Sequence, residues 1–143
     1  MIEVTNYKET INRAYELACI ESTKARQDSK NKSVHIGDRI DDITNGTRYD
    51  ESELWNYLNS LDEKSIKVML AVMYIGRDFD EEEYRKMNKN NSIAIDSNVL
   101  LEEYMRNIPG DKEISHDIHQ IYSKKLMLDI YYQRAIKILG LQI

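Results

Sequence analysis

Apolar residues recur at the i, i+3, i+4 spacing of a buried helix face along nearly the whole chain. No alternating stretch of strand length interrupts them. Val34-His35-Ile36 is the nearest, and it is too short. The pattern predicts an all-α fold: an irregular bundle of about five to seven helices in one domain over 1–143.

The first helix is predicted to start at Thr5 or Thr10. Tyr7, Ile11, Ala14, Tyr15, Ala18, Ser22 and Ala25 lie on its inner face. It runs out in the polar stretch Asp28-Ser29-Lys30-Asn31-Lys32-Ser33. Residues 28–49 read as a mobile loop, or as a loop holding one short helix through Ile36, Ile40 and Ile43, closed by Asn45-Gly46. Asp50 with Glu53 reads as a capping box. Leu54, Tyr57, Leu58 and Leu61 then form the stripe of the next helix. Asp62 starts another, and its stretch Val68 to Ile75 is nearly all apolar, so it is predicted to be central. Gly76 reads as its C′ stop.

Phe79, Asp80, Glu83 and Tyr84 match a hydrophobic staple with a capping box at a following helix start. That helix ends before Asn88-Lys89-Asn90-Asn91. Ser97 opens a helix that buries Leu100, Leu101, Tyr104, Met105 and Ile108, and Pro109-Gly110 stops it. Asp111 opens the last region. Ile114, Ile118, Ile121, Tyr122, Leu128, Tyr131, Tyr132, Ala135, Ile138 and Leu139 keep its register. Ser123-Lys124-Lys125 leaves open whether 111–139 is one helix or two. Tyr131 and Tyr132 are adjacent, so both cannot enter one core. With Ile136, Leu141 and Ile143 they give this helix a second apolar side, which predicts self-association there.

Composition narrows the class. With 41% hydrophobic and 31% charged residues the chain is globular rather than disordered. No apolar run approaches the roughly 20 residues of a membrane span. The opening MIEVTNYKET lacks the basic and apolar regions of a secretory signal. Cys19 is the one cysteine, so no internal disulfide forms, which fits a reducing, cytoplasmic setting. The net charge of −5 offers no basic excess for duplex nucleic acid. Ten tyrosines stand against one Phe and one Trp. Tyr favours rims, interfaces and pockets where its hydroxyl finds a partner, although an AT-rich coding bias has the same result.

Catalytic constellations are sparse. Glu113, His116 and His119 stand at i, i+3 and i+6, the spacing of half a carboxylate–histidine metal motif. The second pair is missing, so they are weak metal candidates beside the plainer reading of a polar face flanked by Asp111 and Asp117. His116-Asp117 is also the dipeptide of a class of metal-dependent phosphohydrolases, with His35 upstream and Asp129 downstream. The Asp117–Asp129 spacing is too tight for that arrangement. Cys19 sits mid-helix and reads as a small hydrophobe. No nucleophile elbow and no phosphate loop occurs. Asp78, Asp80, Glu81, Glu82 and Glu83 read as carboxylates placed at a helix N-terminus.

The turn Tyr74-Ile75-Gly76-Arg77-Asp78 is the leading site, with Arg77, Tyr74 and Asp78 as ligand-binding residues. Arg77 would offer its planar donors to an anionic small molecule beside Tyr74. The plainer reading is an Arg that binds the last carbonyls of its helix. The stretch Leu54 to Asp78 resembles a family of small bacterial helical proteins with a domain of unknown function, whose helical hairpin ends in a Leu-Met-Trp-x-Gly-Arg-Gly type of motif. Val72, Met73, Tyr74, Ile75, Gly76 and Arg77 occupy that stretch here. Tyr74 stands in place of the Trp and Asp78 in place of the last Gly. Tyr122 to Gly140 is similar to the closing helix of that family. The resemblance implies the helical fold and no particular activity.

The sequence therefore ranks three functions. The first is a non-enzymatic binding or regulatory module that forms homo-oligomers. The second is a protein of phages or mobile elements that sequesters a nucleotide-like signal in counter-defence. The third is a metal-dependent hydrolase around His116 and His119. No cofactor is implied.

Overall fold

The computed structural model describes residues 2–31, 52–79, 96–110 and 112–141. Among them lie six α-helices, a short 3-10 turn at Val4–Tyr7 and no strand. The helices are α1 (Lys8–Asn31), α2 (Glu53–Ser60), α3 (Glu63–Asp78), α4 (Ser97–Arg106), α5 (Ile114–Tyr122) and α6 (Leu128–Ile138). None is long and apolar enough to cross a membrane.

The apolar run 68–75 makes α3 the hub. All of it is buried except Tyr74, which is half-buried. α3 packs most extensively on α6 and also against α4 and α5. α1 packs on α6 and α2, and α2 reaches α5, so the helices close around a single core. Burial of these side chains, not helix propensity, supplies most of the driving force.

Polar side chains tie the ends of the elements together. The Val4 amide donates to Asn98 Oδ1 at 2.8 Å, and the Ser97 hydroxyl to the Leu139 carbonyl at 2.8 Å. Buried Ser22 on α1 donates to the Lys125 carbonyl at 2.5 Å and accepts the Asp129 amide at 3.2 Å. Arg26 grips both oxygens of Asp129, at 3.1 and 2.8 Å, and also donates to the Leu126 carbonyl at 3.0 Å. One face of α1 thus clamps the α5–α6 turn. Glu21 accepts the Tyr122 hydroxyl at 2.6 Å and the Ser52 hydroxyl at 3.1 Å, joining α1, α5 and the start of α2.

Several boundaries differ from the sequence reading. α1 begins at Lys8 after the 3-10 turn, not at Thr5 or Thr10, because buried Val4 anchors the entry. It continues through Asn31, so 28–31 is helix: polar residues alone do not stop a helix, and no Gly or Pro falls there. The remainder of the 28–49 loop lies outside the described residues, as do Asp50, the helix start at Asp80, Glu83 and Tyr84, and Asp111. α2 is capped by Ser52, whose hydroxyl accepts the Trp55 amide at 3.1 Å, so Glu53 is the first helical residue rather than the partner of Asp50. Asp62 caps α3 as expected, accepting the Ser65 amide at 3.0 Å. Asp96 caps α4, one residue before Ser97. Glu113 precedes α5, so that helix begins after the proposed Asp111 start. The last region is two helices, parted at 123–127.

The largest correction concerns Gly76. It does not stop α3, which runs on through Asp78, and its φ is not positive. A Cβ there would overlap the backbone of Tyr131 on α6. The glycine is needed for close helix contact, not for a turn. The left-handed stop falls at Gly140 (φ 68°), where the Leu141 amide bonds the Ile136 carbonyl at 2.9 Å and the Gly140 amide the Lys137 carbonyl at 3.2 Å, a Schellman closure.

Candidate functional site

A groove of about 240 Å³ opens between α3, the loop that follows α4, and α5. Leu70 and Tyr74 come from α3, Asn107, Ile108, Pro109 and Lys112 from the loop, and His116, Asp117 and Gln120 from α5. Tyr74 and His116, two candidates more than 40 residues apart in sequence, line the same groove. The helical phase accounts for this. Leu70 and Tyr74 are one turn apart on α3, and His116 and Gln120 are one turn apart on α5.

An ion pair underlies the groove. Lys67 Nζ donates to Asp117 Oδ2, and the two side chains are 14% and 3% exposed. The same ammonium donates to the Pro109 carbonyl at 3.3 Å, holding the loop that forms one wall. Removing a single partner from such a pair strands a buried charge. Sequence reasoning placed Asp117 on a polar outer face. It lies inward because α3 supplies the counter-charge. The signal was Lys67, one cation in the otherwise apolar run Ile66 to Ile75.

Arg77 and Asp78 adjoin the groove through Tyr74. The Arg77 guanidinium carbon sits 4.5 Å from the centre of the Tyr74 ring, and Nε donates to Asp78 Oδ1 at 2.9 Å. The Tyr104 hydroxyl donates to Asp78 Oδ2 at 3.0 Å. Phe79 packs near Tyr104, with ring centres 6.3 Å apart. Partial burial, together with Asp78, pushes the Tyr104 hydroxyl up to about 12. Arg77 thus engages Asp78 through Nε and lies over the Tyr74 ring. Among the hydrogen bonds of the described residues, none runs from Arg77 to a helix carbonyl.

The metal candidates are dispersed. His119 packs on Trp55 of α2, with ring centres 4.9 Å apart, while His116 lines the groove. Glu113 is exposed at the start of α5. No three His, Cys, Asp or Glu side chains among the described residues converge to hold a metal ion. The phosphohydrolase alignment separates too. Asp117 pairs with Lys67, Asp129 pairs with Arg26, and His35 lies outside the described residues.

On the C-terminal helix, Tyr132 is fully buried and Tyr131 half-buried. Ile136 (8% exposed) and Leu141 (7%) are covered by the chain itself, and Ile143 lies outside the described residues. The second apolar side expected of α6 is thus filled internally as far as it is described.

No family model matches the chain. No curated protein and no solved structure matches it either.

Proposed function

We propose that this protein is a non-enzymatic binding module that takes a small anionic ligand in the groove between α3 and α5. The observation carrying this reading is the charge arrangement. The Lys67–Asp117 pair neutralises itself at the base, so Lys112 leaves the lining with a cationic balance. A lone ammonium on a concave wall with amides from Asn107 and Gln120 is suited to an acid group. Arg77 lies on the Tyr74 ring, beside the groove rather than in its lining.

Sequestration of a nucleotide-like signal is the more specific form of the same reading, supported by the Tyr74 ring on the groove wall. The resemblance of Leu54 to Asp78 to small bacterial proteins of unknown function fits either form. Homo-oligomer formation through α6 draws less support, since Ile136 and Leu141 are already buried.

A thermal-shift panel of inorganic phosphate, small dicarboxylates and nucleoside monophosphates tests the proposal. A ligand at 100 times its Kd adds about 2.7 kcal/mol of stability. At least one acid should raise the melting temperature, and Lys112→Ala should abolish that rise. A panel in which no acid shifts the protein would end the proposal.

A further inference from the structure

Asp117 lines the groove, yet only one of its carboxylate oxygens is used inside the protein. Oδ2 accepts from Lys67, and among the described residues no donor meets Oδ1. Asp117 as a whole is buried, but Oδ1 is not among the fully buried unpartnered atoms, so it keeps access to the groove and can accept a hydrogen bond from a group entering it.

We propose that Asp117 reads a neutral N–H donor on the ligand, so that the groove takes an amino- or amide-bearing heterocycle with a short acidic tail, the class to which nucleoside monophosphates belong. This inference rests on the anionic reading above and adds what the other end of the ligand must be. The donor is neutral because Lys67 already satisfies the charge of Asp117. A ligand ammonium at Oδ1 would stand beside the Lys67 ammonium and be repelled by it. A neutral ring nitrogen avoids that repulsion, and carboxylates are established acceptors for exocyclic amino groups of bases. The ring is implied by the walls. Tyr74 offers an aromatic surface, and buried Leu70 and Ile108 offer apolar contact. The size limit follows from volume. A groove of about 240 Å³ is below the roughly 300 Å³ at which ordinary ligand pockets begin, so it admits one heterocycle rather than a dinucleotide. The acid tail would meet Lys112 and His116 at the exposed edge.

Calorimetric titration of the full chain with inorganic phosphate and with the common nucleoside monophosphates tests this. At least one monophosphate should bind about tenfold or more tightly than phosphate, the margin of a hydrogen bond to a charged group. The Lys67→Met/Asp117→Leu double variant replaces the pair with apolar side chains of similar volume and should lose that margin while its melting transition persists. A ligand comparison on the wild-type protein covers the case of a double variant that fails to fold: purine riboside monophosphate, whose base carries no N–H donor, should lack that margin over phosphate. A double variant that keeps the margin overturns the inference, as does a donor-free monophosphate that binds as tightly as the best of the common ones. So does a wild-type protein that binds phosphate as tightly as every monophosphate, and that result leaves the anionic reading standing. Binding of no acid at all overturns both.

Discussion

Gly76 on α3 lies so close to Tyr131 on α6 that a methyl group on Gly76 would overlap the Tyr131 backbone. α3 and α6 share the most extensive contact among the described helices, and this glycine allows their approach. Because the obstacle is backbone, no rotamer change relieves it. Gly76→Ala should therefore destabilise by about 3 kcal/mol, the upper end for overpacking. That corresponds to a fall of roughly 10 °C in Tm. A variant within about 1 kcal/mol of wild type in urea unfolding would refute the packing role, since helix propensity alone favours Ala at this position.

The Lys67–Asp117 pair gives a second test. Lys67→Met leaves Asp117 buried without its counter-charge and should cost about 3 kcal/mol or more. Adding Asp117→Leu should restore most of that loss, because the pair is replaced by apolar volume. A double-mutant cycle with additive losses would show that the two groups do not interact.

Tyr132 is fully buried, and its hydroxyl has no partner among the described residues. Burial alone drives its ionisation far above the ordinary tyrosine range. A desolvated hydroxyl without a partner is a cost, so Tyr132→Phe should leave stability unchanged or raise it by about 1 kcal/mol. Loss of more than about 1 kcal/mol in chemical denaturation would mean that the hydroxyl is bonded after all.

Alkaline stability should depend on Tyr104. Its folded value is raised to about 12, with burial the larger cause and the hydrogen bond to Asp78 the next. A raised value means that the folded state holds the proton more firmly. The associated stability is therefore complete below the ordinary tyrosine value of about 10 and is lost as pH climbs toward 12. In Tyr104→Phe, the decline of urea stability over that window should be shallower than in wild type. Identical slopes would count against the Tyr104–Asp78 bond.

The clamp on the α5–α6 turn predicts the opposite pH sense. Burial pushes the Asp129 carboxyl up, but the Arg26 hydrogen bonds, the Ile130 amide and Ser22 together outweigh it and hold the group below its ordinary value. A lowered value places this stability above the unfolded carboxyl range, to be lost as pH falls through the folded value. Arg26→Met should lower stability at neutral pH by the modest amount of a partly exposed pair. Its gap to wild type should close in acid. A gap that stays constant down to the acid transition would assign the loss to packing of the Arg26 stem.

Periodicity carried the fold class, the central place of 68–75, the cap at Asp62 and the division of Tyr131 from Tyr132, because each follows from local spacing and backbone hydrogen-bond needs. Local motifs singled out Tyr74, beside Arg77 in its turn, and His116, in the Glu113-x-x-His116 spacing, for separate reasons. What spacing could not convey was which surface each residue meets. Gly76 has the sequence appearance of a helix stop, and only the approach of α6 reveals a contact glycine. Asp117 belongs by composition to a polar face, and only the Lys67 ammonium from another helix makes its burial tolerable. The groove exists because α3 and α5 pack together with Pro109 held beside them by Lys67, so its residue set is a product of tertiary packing. Hydrophobic pattern fixes the helices through local free energy. The partners of buried charges and the sites of closest helix approach depend on long-range geometry, which one sequence read along its length does not contain.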